Sequence, residues 1–363
     1  MTALFAASGA RPVRPVVPPP GAEAVPAEAR GPALAALAEL REAAAGLDNP
    51  DLFHRPRLRT RLHPGRLAGA DPGRLADQAA ASAGNRAEAG LLAVASVRAE
   101  LRERPGQRPC FTPDALVDLH RLLVAEDPSV PGGGGLRRTD AHVVWPDGRR
   151  FAIAVPPGRP LRGHLRRWHH WTVNTDSPAL DLAAFGVLRL YTVHPFPDGN
   201  GRLARLLAQC DLVAAGLLPG LLLDLDGWVE ARRATHDEAI VAGADGDWAR
   251  WGTVFADAVT ETARHRTTTL AAHRRLLTAA IDAVREDPQA VGVLRRFTAA
   301  PAVSADWLRS RLPYDPGPAL ARLRRAGLLT RHPRLPGALV HPGLLALLDT
   351  PFAARLPDEV QTS

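Results

Sequence analysis

One short segment, residues 194–205, constrains this chain more than any other part of its sequence. The apolar residues before it, over residues 180–190, recur at mixed spacings of three and four, which predicts a buried helix. That helix is expected to end near His194, because Pro195 disfavours helical geometry in the residue before it. Leucines over residues 203–212 resume the helical spacing. The segment is therefore expected to form a turn between two helices.

The turn itself predicts a site for an anion. It contains Gly199, Asn200 and Gly201, and glycine can take a positive φ and expose its backbone N–H groups. A helix that begins after such a turn favours anions, because its first N–H groups and its dipole both point at them. Arg202 and Arg205 are three residues apart, so they are expected to share one face of that helix beside the anion hole. A polyphosphate is the expected occupant.

The same segment also contains a histidine that can act as a base and an aspartate that can bind a metal ion. Asp198 would repel a bare phosphate, but its carboxylate is expected where Mg²⁺ lies between it and the phosphate oxygens. His194 has an ordinary pKa of about 6.5, so it can take a proton from an attacking hydroxyl. Each feature alone is typical of an ordinary turn, a structural histidine or a solvated helix face. Their coincidence in one segment favours nucleotidyl or phosphoryl transfer to a hydroxyl, with His194 as the general base.

The segment resembles the signature of Fic-domain (Fido) proteins, His-x-Phe-x-(Asp/Glu)-Gly-Asn-Gly-Arg-x-x-Arg, and it matches every fixed position. The resemblance implies an all-α fold with a Fic-type helical core, and transfer of AMP from ATP to a Ser, Thr or Tyr hydroxyl of a target protein. It also implies that His194 is the catalytic base and that Asp198 is a Mg²⁺ ligand. By the same resemblance the anion hole consists of Gly199, Asn200 and Gly201. The two contacts to the outer phosphates are Arg202 and Arg205.

The same resemblance bears on which group is transferred. The kinase-like branch of the family has a lysine where this chain has Gly201, which favours transfer of AMP over transfer of phosphate. UTP and GTP stay open as alternative nucleotides. Phe196 is expected to pack into the core and anchor the loop, and His120 fits a helix near the start of the core with a structural role.

Residues 137–157 are predicted to form a β-hairpin. Residues 142–145 and 151–155 are short extended runs, and Pro146, Asp147 and Gly148 between them are a turn signal. An ordinary surface hairpin is one interpretation. The alternative rests on the resemblance, because the hairpin is similar to the family's flap, which lies over the active site and pairs with an extended segment of the target protein.

An inhibitory motif common in the family, Ser/Thr-x-x-x-Glu-Gly/Asn, has no full match in this chain. In relatives its glutamate pairs with the second arginine of the signature, here Arg205, and blocks productive ATP binding. Residues 81–86 resemble a degraded copy with Ala83 at the glutamate position. Ser96 and Glu100 have the right spacing without the Gly or Asn that should follow, and a solvated helix residue is the simpler interpretation of Glu100. We therefore expect no glutamate-based inhibition within this chain, or inhibition supplied by a separate antitoxin chain.

The C-terminal part is similar to a winged helix-turn-helix, a module found behind some bacterial Fic cores. Residues 303–312 and 318–326 are predicted to form two short helices, and residues 331–340 a small wing. Such modules place a helix in the major groove of DNA. Three arginines on the second helix are candidates for contacts to phosphates: Arg322, Arg324 and Arg325. A protein-interaction or dimerisation module is the alternative, as is a regulator whose Fic core binds nucleotide without catalysis.

Composition and helix patterns divide the chain into parts. Residues 1–30 are rich in Pro and Ala and are expected to be disordered, and residues 31–105 are expected to be an N-terminal helical region. The Fic core is expected over residues 106–261. A linker helix and the winged-helix-like domain are expected over residues 262–350, and a tail over residues 351–363.

Charge and cysteine content narrow the cellular setting. The chain has 45 Lys+Arg against 38 Asp+Glu, and all the basic residues are arginine. With frequent Ala, Pro and Gly, this is typical of a high-GC bacterial genome, which accounts for much of the net charge of +7. Two distant cysteines without metal-ligand spacing fit a reducing cytoplasm. No apolar stretch is long enough to span a membrane, and the N-terminus lacks a secretory pattern, so a cytoplasmic protein without a membrane partner is expected.

Overall fold

Helices account for most of the described structure. The computed structural model describes residues 10–48, 101, 112–124, 134–144, 148–299, 302–332, 337–350 and 352. In chain order the elements are β1 (Arg11–Val13), α1 (Ala27–Ala44), α2 (Pro113–Val124), β2 (His142–Val144), β3 (Arg150–Ile153), α3 (Arg159–Asn174), α4 (Ala179–Val193), α5 (Asn200–Ala214), α6 (Leu225–Ala231), α7 (Arg233–Ala244), α8 (Trp248–Asp282), α9 (Pro288–Leu294), α10 (Ala305–Arg309), α11 (Gly317–Arg325), β4 (Thr330–Arg331), β5 (Leu339–Val340) and α12 (Pro342–Asp349).

Helices α4 and α5 form the centre of a first apolar core and hold the turn between them. α4 is buried on nearly all sides, with Phe185 and Leu188 among its fully buried side chains. α5 buries a stripe that includes Leu203 and Leu207. α7 and α8 pack against α4, and α1 lies along α8. The two helices predicted around the turn are therefore confirmed, the first ending at Val193.

The N-terminal residues differ from the prediction of disorder. Within residues 10–30, β1 pairs in parallel with β3. The N–H groups of Ala24 and Val25 donate to the buried Asp181 carboxylate at 2.7 and 2.8 Å. Gly252 on α8 makes room for this crossing, because a Cβ atom there would lie 1.9 Å from the Ala24 carbonyl oxygen. Composition predicts disorder here, but it carries no information about these partners, which are distant in sequence.

The strands of the predicted hairpin belong to a larger sheet. β2 and β3 are antiparallel, with His142 opposite Ala152. β1 pairs with the other edge of β3, so the sheet has the order β1-β3-β2 and β2 lies at its edge. Residues 145–147, at the predicted turn, lie outside the described residues.

The long helix α8 joins two apolar clusters. It runs over Trp248–Asp282 without interruption, so the boundary predicted between a core ending at residue 261 and a linker helix beginning at residue 262 lies inside one helix. Residues 253–287 contain no Gly or Pro, so nothing stops the helix at the predicted boundary. Neither α8 nor any other helix in the described ranges combines the length and the apolar character that a bilayer crossing requires.

The second apolar cluster lies in the C-terminal part. α9, α11 and β5 contribute Leu294, Leu323 and Val340 to it. α10 and α11 are two short helices in the predicted order, and β4 pairs antiparallel with β5. These elements are compatible with a winged helix-turn-helix, which stays a prediction.

Several predicted features lie outside the described residues. These are the two segments compared with the inhibitory motif, residues 81–86 and Glu100, and most of the N-terminal helical region over residues 31–105. The C-terminal tail is likewise described only at Phe352. The expectation that this chain has no inhibitory helix of its own therefore rests on its sequence alone.

Arg189 on α4 is a buried charge without an acidic partner among the described residues. Its side chain is 1% exposed, and its Nε and Nη1 atoms have no hydrogen-bond partner in that part of the chain. The guanidinium lies 5.4 Å from the centroid of the Trp171 ring. Burial, and then the charge of Arg167, lowers the pKa of Arg189 to about 9. This charge is a cost to the folded state.

Replacing Arg189 by methionine is expected to stabilise the protein. Removal of an uncompensated buried charge with similar side-chain volume is expected to raise the free energy of unfolding by about 1–4 kcal/mol. Urea denaturation measures the change. Arg250→Met, which removes an exposed ion pair to Glu238, serves as the control and is expected to change it by less than about 0.5 kcal/mol. A lower free energy of unfolding for Arg189→Met would contradict the interpretation of Arg189 as a net cost to the folded state.

Candidate active site

His194 ends α4 in a backbone conformation that few residues adopt. Its φ of 46° and ψ of 62° lie in the left-handed region, and no other non-glycine residue in the described ranges has a positive φ. Pro195 prevents the helix from continuing, and the His194 N–H donates to the Leu190 carbonyl at 2.9 Å. The imidazole is half-buried, and its buried Nδ1 atom has no hydrogen-bond partner among the described residues. Backbone strain of this kind is found at functional sites.

Arg137 joins the His194 loop to the chain segment before β2 and the chain segment after β3. Its side chain is 4% exposed. Nε donates to the His194 carbonyl at 2.7 Å, Nη1 to the Thr139 carbonyl at 2.9 Å, and Nη2 to the Val155 carbonyl. Its backbone N–H donates to the Pro195 carbonyl at 2.9 Å. Sequence reasoning missed this residue, because nothing in the sequence marks one arginine of an adjacent pair as buried.

The loop after His194 is closed by Asn200. The Asn200 side-chain oxygen accepts from the Phe196 N–H at 3.0 Å, and its amide nitrogen donates to the Phe196 carbonyl at 2.8 Å. Phe196 is fully buried, as predicted for the anchor of the loop. Both polar atoms of the Asn200 side chain thus form hydrogen bonds within the loop. Asn200 can therefore bind an anion only through its backbone N–H.

His120 on α2 supports the loop from the other side. Its ring stacks on Phe196 at a centroid distance of 3.8 Å and an angle of 7°. Nδ1 accepts from the Gly135 N–H at 3.2 Å, so Nε2 carries the proton and donates to the Asp198 carbonyl at 2.8 Å. Burial lowers the pKa of His120 to about 4, which keeps the ring neutral. His120 therefore joins the loop to the chain that leads into β2, a structural role as predicted.

The start of α5 has the geometry of an anion site. Gly199 has a φ of 81° immediately before the helix, and its N–H donates to Asp198 Oδ1 at 2.6 Å. The first N–H groups of a helix have no acceptor within it, so those of Asn200 and Gly201 can meet an anion. Arg202 Nη2 lies 3.7 Å from Asp198 Oδ2, and both side chains are partly exposed. A cation and a carboxylate thus lie together beside the helix N-terminus.

Arg205 forms hydrogen bonds with two other side chains of this protein. Its Nε donates to Asp226 Oδ1 at 2.8 Å, Nη2 donates to the same oxygen, and Nη1 donates to the Tyr191 hydroxyl at 2.9 Å. Burial alone would lower the pKa of Arg205, but Asp226 and Tyr191 raise it above its ordinary value. Sequence reasoning assigned Arg205 to phosphates and missed Asp226, because no pattern connects two residues 21 positions apart.

Gly201 leaves the space that Tyr191 and Arg205 occupy. A Cβ atom at position 201 would lie 2.5 Å from the Tyr191 hydroxyl oxygen and 3.0 Å from Arg205 Nη1. A side chain at this position therefore requires its neighbours to move. The same distances place the Arg205 guanidinium against the first turn of α5, next to the anion site.

A cavity of about 670 Å³ opens beside residues 134–138, the stretch that contacts the His194 loop. This volume is within the range of small-molecule sites. Its charged lining consists of Arg121, Arg137, Arg138, Arg162, Asp114 and Asp118. Because arginines outnumber aspartates in this lining, the cavity suits an anionic ligand or an acidic peptide.

The His194 imidazole is expected to stay neutral well below neutral pH. Burial lowers its pKa to about 4, with smaller opposing effects from the Tyr191 carbonyl and Asp198. The neutral ring, which is the form that accepts a proton, therefore prevails at pH 7, and it is lost only as the pH falls through about 4. In an NMR titration, with His194→Gln to assign the signal, we expect no protonation of His194 from about pH 8 to about pH 5.5. A midpoint at the ordinary histidine value would contradict this.

Known proteins share the sequence of this site. The sequence profile of the Fic/DOC family matches residues 110–211. The chain is 34% identical over 111 residues to the "Protein adenylyltransferase Fic" of Drosophila grimshawi, a match that covers 30% of this chain and 21% of that protein. It is 30% identical over 119 residues to the "Uridine 5'-monophosphate transferase" of Xanthomonas campestris pv. campestris (strain 8004), covering 30% and 22%. The chain thus spans about a fifth of the length of these curated relatives.

Solved structures are similar at lower identity. Fic-1 (aa134–508) from C. elegans has a TM-score of 0.43 and 17% identity, covering 69% of this chain and 73% of that one. A Fic family protein from Desulfovibrio desulfuricans G20 has a TM-score of 0.41 and 15% identity, covering 87% and 88%. On the sequence match, residues 110–211 of this chain, which include His194, the anion site and both motif arginines, are a Fic/DOC family domain.

Proposed function

We propose that this domain is a nucleotidyltransferase that moves AMP from ATP to a Ser, Thr or Tyr hydroxyl of a target protein. The observation that carries the proposal is the placement of a neutral, half-buried imidazole, His194, directly before the loop that leads into the helix N-terminus at Asn200. Two relatives that match about a third of this chain are named for transfer of a nucleoside monophosphate.

In the proposed reaction the target hydroxyl oxygen attacks the α-phosphorus of ATP. The bond between that phosphorus and the oxygen that bridges to the β-phosphate breaks, and pyrophosphate leaves. His194 takes the proton of the attacking hydroxyl. A positioned general base contributes about 10²- to 10⁴-fold to such a reaction.

The anion site would bind the polyphosphate. The N–H groups of Asn200 and Gly201 and the Arg202 guanidinium would stabilise the negative charge that develops on it. Asp198 fits a Mg²⁺ ligand, because its carboxylate is half-exposed and Oδ1 is oriented by the Gly199 N–H. Proteins commonly bind Mg²⁺ through one or two carboxylates and the phosphate oxygens of the substrate. When bound, the ion would neutralise part of the phosphate charge.

An extended segment of the target protein would dock on β2, which acts as the flap in this proposal. β2 is an edge strand of the described sheet, so its outer N–H and C=O groups can pair with an added strand. Arg137 ties the chain on both sides of this strand pair to the His194 carbonyl. A docked segment would therefore be held in a fixed position relative to the base.

Gly201 supports transfer of AMP rather than phosphate, because the kinase-like branch of the family that this segment resembles has a lysine at this position. We propose ATP as the substrate, and the UMP transferase among the relatives makes UTP the principal alternative. Because the chain has no full inhibitory motif, we also propose that it has no glutamate-based inhibition of its own, or that a separate antitoxin chain supplies it.

Transfer of label from α-labelled ATP tests this function. Purified protein with Mg²⁺ is expected to label itself or a protein in an added lysate, and α-labelled UTP and GTP are expected to label less. Labelling from none of the three nucleotides, while circular dichroism shows a folded protein, contradicts nucleotidyl transfer. Stronger labelling from UTP corrects the nucleotide and leaves the reaction class in place.

The C-terminal part supports a second candidate function, binding to DNA. A pocket of about 520 Å³ beside α11 and β4 is lined by Arg324, Arg325 and Arg331. Arg322, predicted to act with them, instead donates to Asp287 at the start of α9. Binding of duplex DNA that weakens steeply with salt, and that is lost in R324Q/R325Q, would support this function. Absence of binding at low salt would favour a protein-interaction module.

A further inference from the structure

Asp226 and Tyr191 already hydrogen-bond to Arg205, the second of the two arginines that the family resemblance assigns to the outer phosphates. Three of the N–H groups of Arg205 are used, two by one oxygen of Asp226 and one by the Tyr191 hydroxyl. The Arg205 side chain is 12% exposed. A phosphate that approaches Arg205 therefore meets a cation whose charge is already paired within the chain.

Asp226 is held beside Arg205 by its own helix. It lies in the first turn of α6, where a carboxylate is stabilised by the helix dipole. Asp224 caps that helix and accepts from the Gly227 N–H at 2.8 Å. The Asp226 side chain is 52% exposed, so its carboxylate is accessible from solvent beside the largely buried Arg205. Its negative charge stays near Arg205 whether or not the ion pair breaks.

The Arg205 guanidinium lies next to the anion site, because its Nη1 is 3.0 Å from the position of a Cβ atom on Gly201. A polyphosphate bound at the first turn of α5 would place its outer phosphates near Asp226 as well. Like charges at such separations repel appreciably even at a partly solvated surface. A monophosphate nucleotide, which lacks the outer phosphates, would not meet this charge.

We propose that Asp226 is a specificity-determining residue that opposes the outer phosphates at Arg205 and lowers the affinity of the site for nucleoside triphosphates. The inference rests on the proposed function, since only a bound nucleotide brings phosphates to Arg205. The opposite role for Asp226 is to orient Arg205 for phosphate binding. Asp226→Asn separates the two roles, because asparagine keeps an oxygen that accepts from Arg205 and removes only the charge.

Calorimetric titration with ATP and with AMP, in the presence of Mg²⁺, tests the proposal on the full chain. Asp226→Asn is expected to bind ATP about tenfold more tightly than the wild type, because one repulsion between partly solvated charges is removed, and to bind AMP equally well. Asp245→Asn is the matched control, because it removes the charge of another half-exposed aspartate paired with an arginine, Arg11. It is expected to bind both nucleotides as the wild type does.

The outcomes are distinguishable. Unchanged or weaker ATP binding by Asp226→Asn, with wild-type binding of AMP, overturns the inference and leaves the proposed function in place. Equal tightening of ATP and AMP binding also overturns it, because the outer phosphates would then not be the groups opposed. If none of the three proteins binds nucleotide while each unfolds cooperatively on heating, both the inference and the proposed function are overturned.

Discussion

Replacement of His194 by asparagine is expected to reduce AMP transfer by about 10²- to 10⁴-fold, the usual contribution of a general base. Asparagine is the informative substitution because His194 has a φ of 46°, and asparagine tolerates the left-handed region better than alanine does. Its amide cannot take a proton at neutral pH. The backbone contacts that hold this position, from Arg137 Nε and to the Leu190 carbonyl, do not depend on the imidazole.

The rate of label transfer from α-labelled ATP measures this effect, and calorimetry of ATP binding is the control. We expect His194→Asn to bind ATP with nearly wild-type affinity, because the anion site at the start of α5 is unchanged. His194→Ala is expected to lose transfer as well, with an added loss of stability of about 1–2 kcal/mol from the left-handed backbone. Transfer by His194→Asn at more than a tenth of the wild-type rate would contradict the assignment of the base.

Replacement of Gly201 by alanine is expected to reduce transfer by about 10²-fold or more, because displacement of catalytic groups by about 1 Å has effects of this size. The added Cβ atom would lie 2.5 Å from the Tyr191 hydroxyl and 3.0 Å from Arg205 Nη1. Tyr191, Arg205 or the start of α5 must therefore move, which displaces either the anion site or the arginine beside it. The expected loss is in both nucleotide affinity and transfer rate, measured by calorimetry and label transfer.

Two further variants make the Gly201 result specific. Gly186→Ala, in the neighbouring helix α4, places its Cβ atom at an ordinary 3.9 Å from the nearest side-chain atom, so transfer is expected to be unchanged. Tyr191→Phe in the background of Gly201→Ala removes the oxygen that clashes and is expected to restore part of the lost transfer. Wild-type transfer by Gly201→Ala alone would show that this space is not needed for nucleotide binding.

The turn at residues 194–205 could be predicted because its signals are local in sequence. Pro195 ends one helix, Gly199 supplies a positive φ before the next, and the apolar spacing on each side is helical. The burial of Phe196 agrees with what the family resemblance implies for this position. Local signals of this kind give the position of the base, the carboxylate and the helix N-terminus.

The residues that support the turn could not be predicted from such signals. His120 acts on the Asp198 carbonyl 78 positions away, and Arg137 acts on the His194 carbonyl 57 positions away. Each of these contacts uses a backbone carbonyl as acceptor, so no matching residue type exists to reveal the pair. Asp226 differs, since a carboxylate and an arginine are complementary, but the chain contains many of both.

Elsewhere in the chain, too, local sequence signals do not predict structure that depends on distant partners. The Pro- and Ala-rich start was expected to be disordered, yet within residues 10–30 it forms β1 and supplies N–H groups to Asp181. The boundary expected near residue 261 lies within α8, because a long helix can serve two apolar clusters in succession. In both places the decisive partners are contributed by distant segments.

Mass spectrometry of the reaction products tests the central claim most directly. After incubation of the protein with ATP and Mg²⁺, with and without a lysate, a hydroxyl side chain of the modified protein is expected to gain the mass of one AMP. Pyrophosphate is expected to appear in equal amount, and neither product is expected with His194→Asn. Addition of the mass of one phosphate, or AMP addition that is equally fast in His194→Asn, would contradict AMP transfer with His194 as the base.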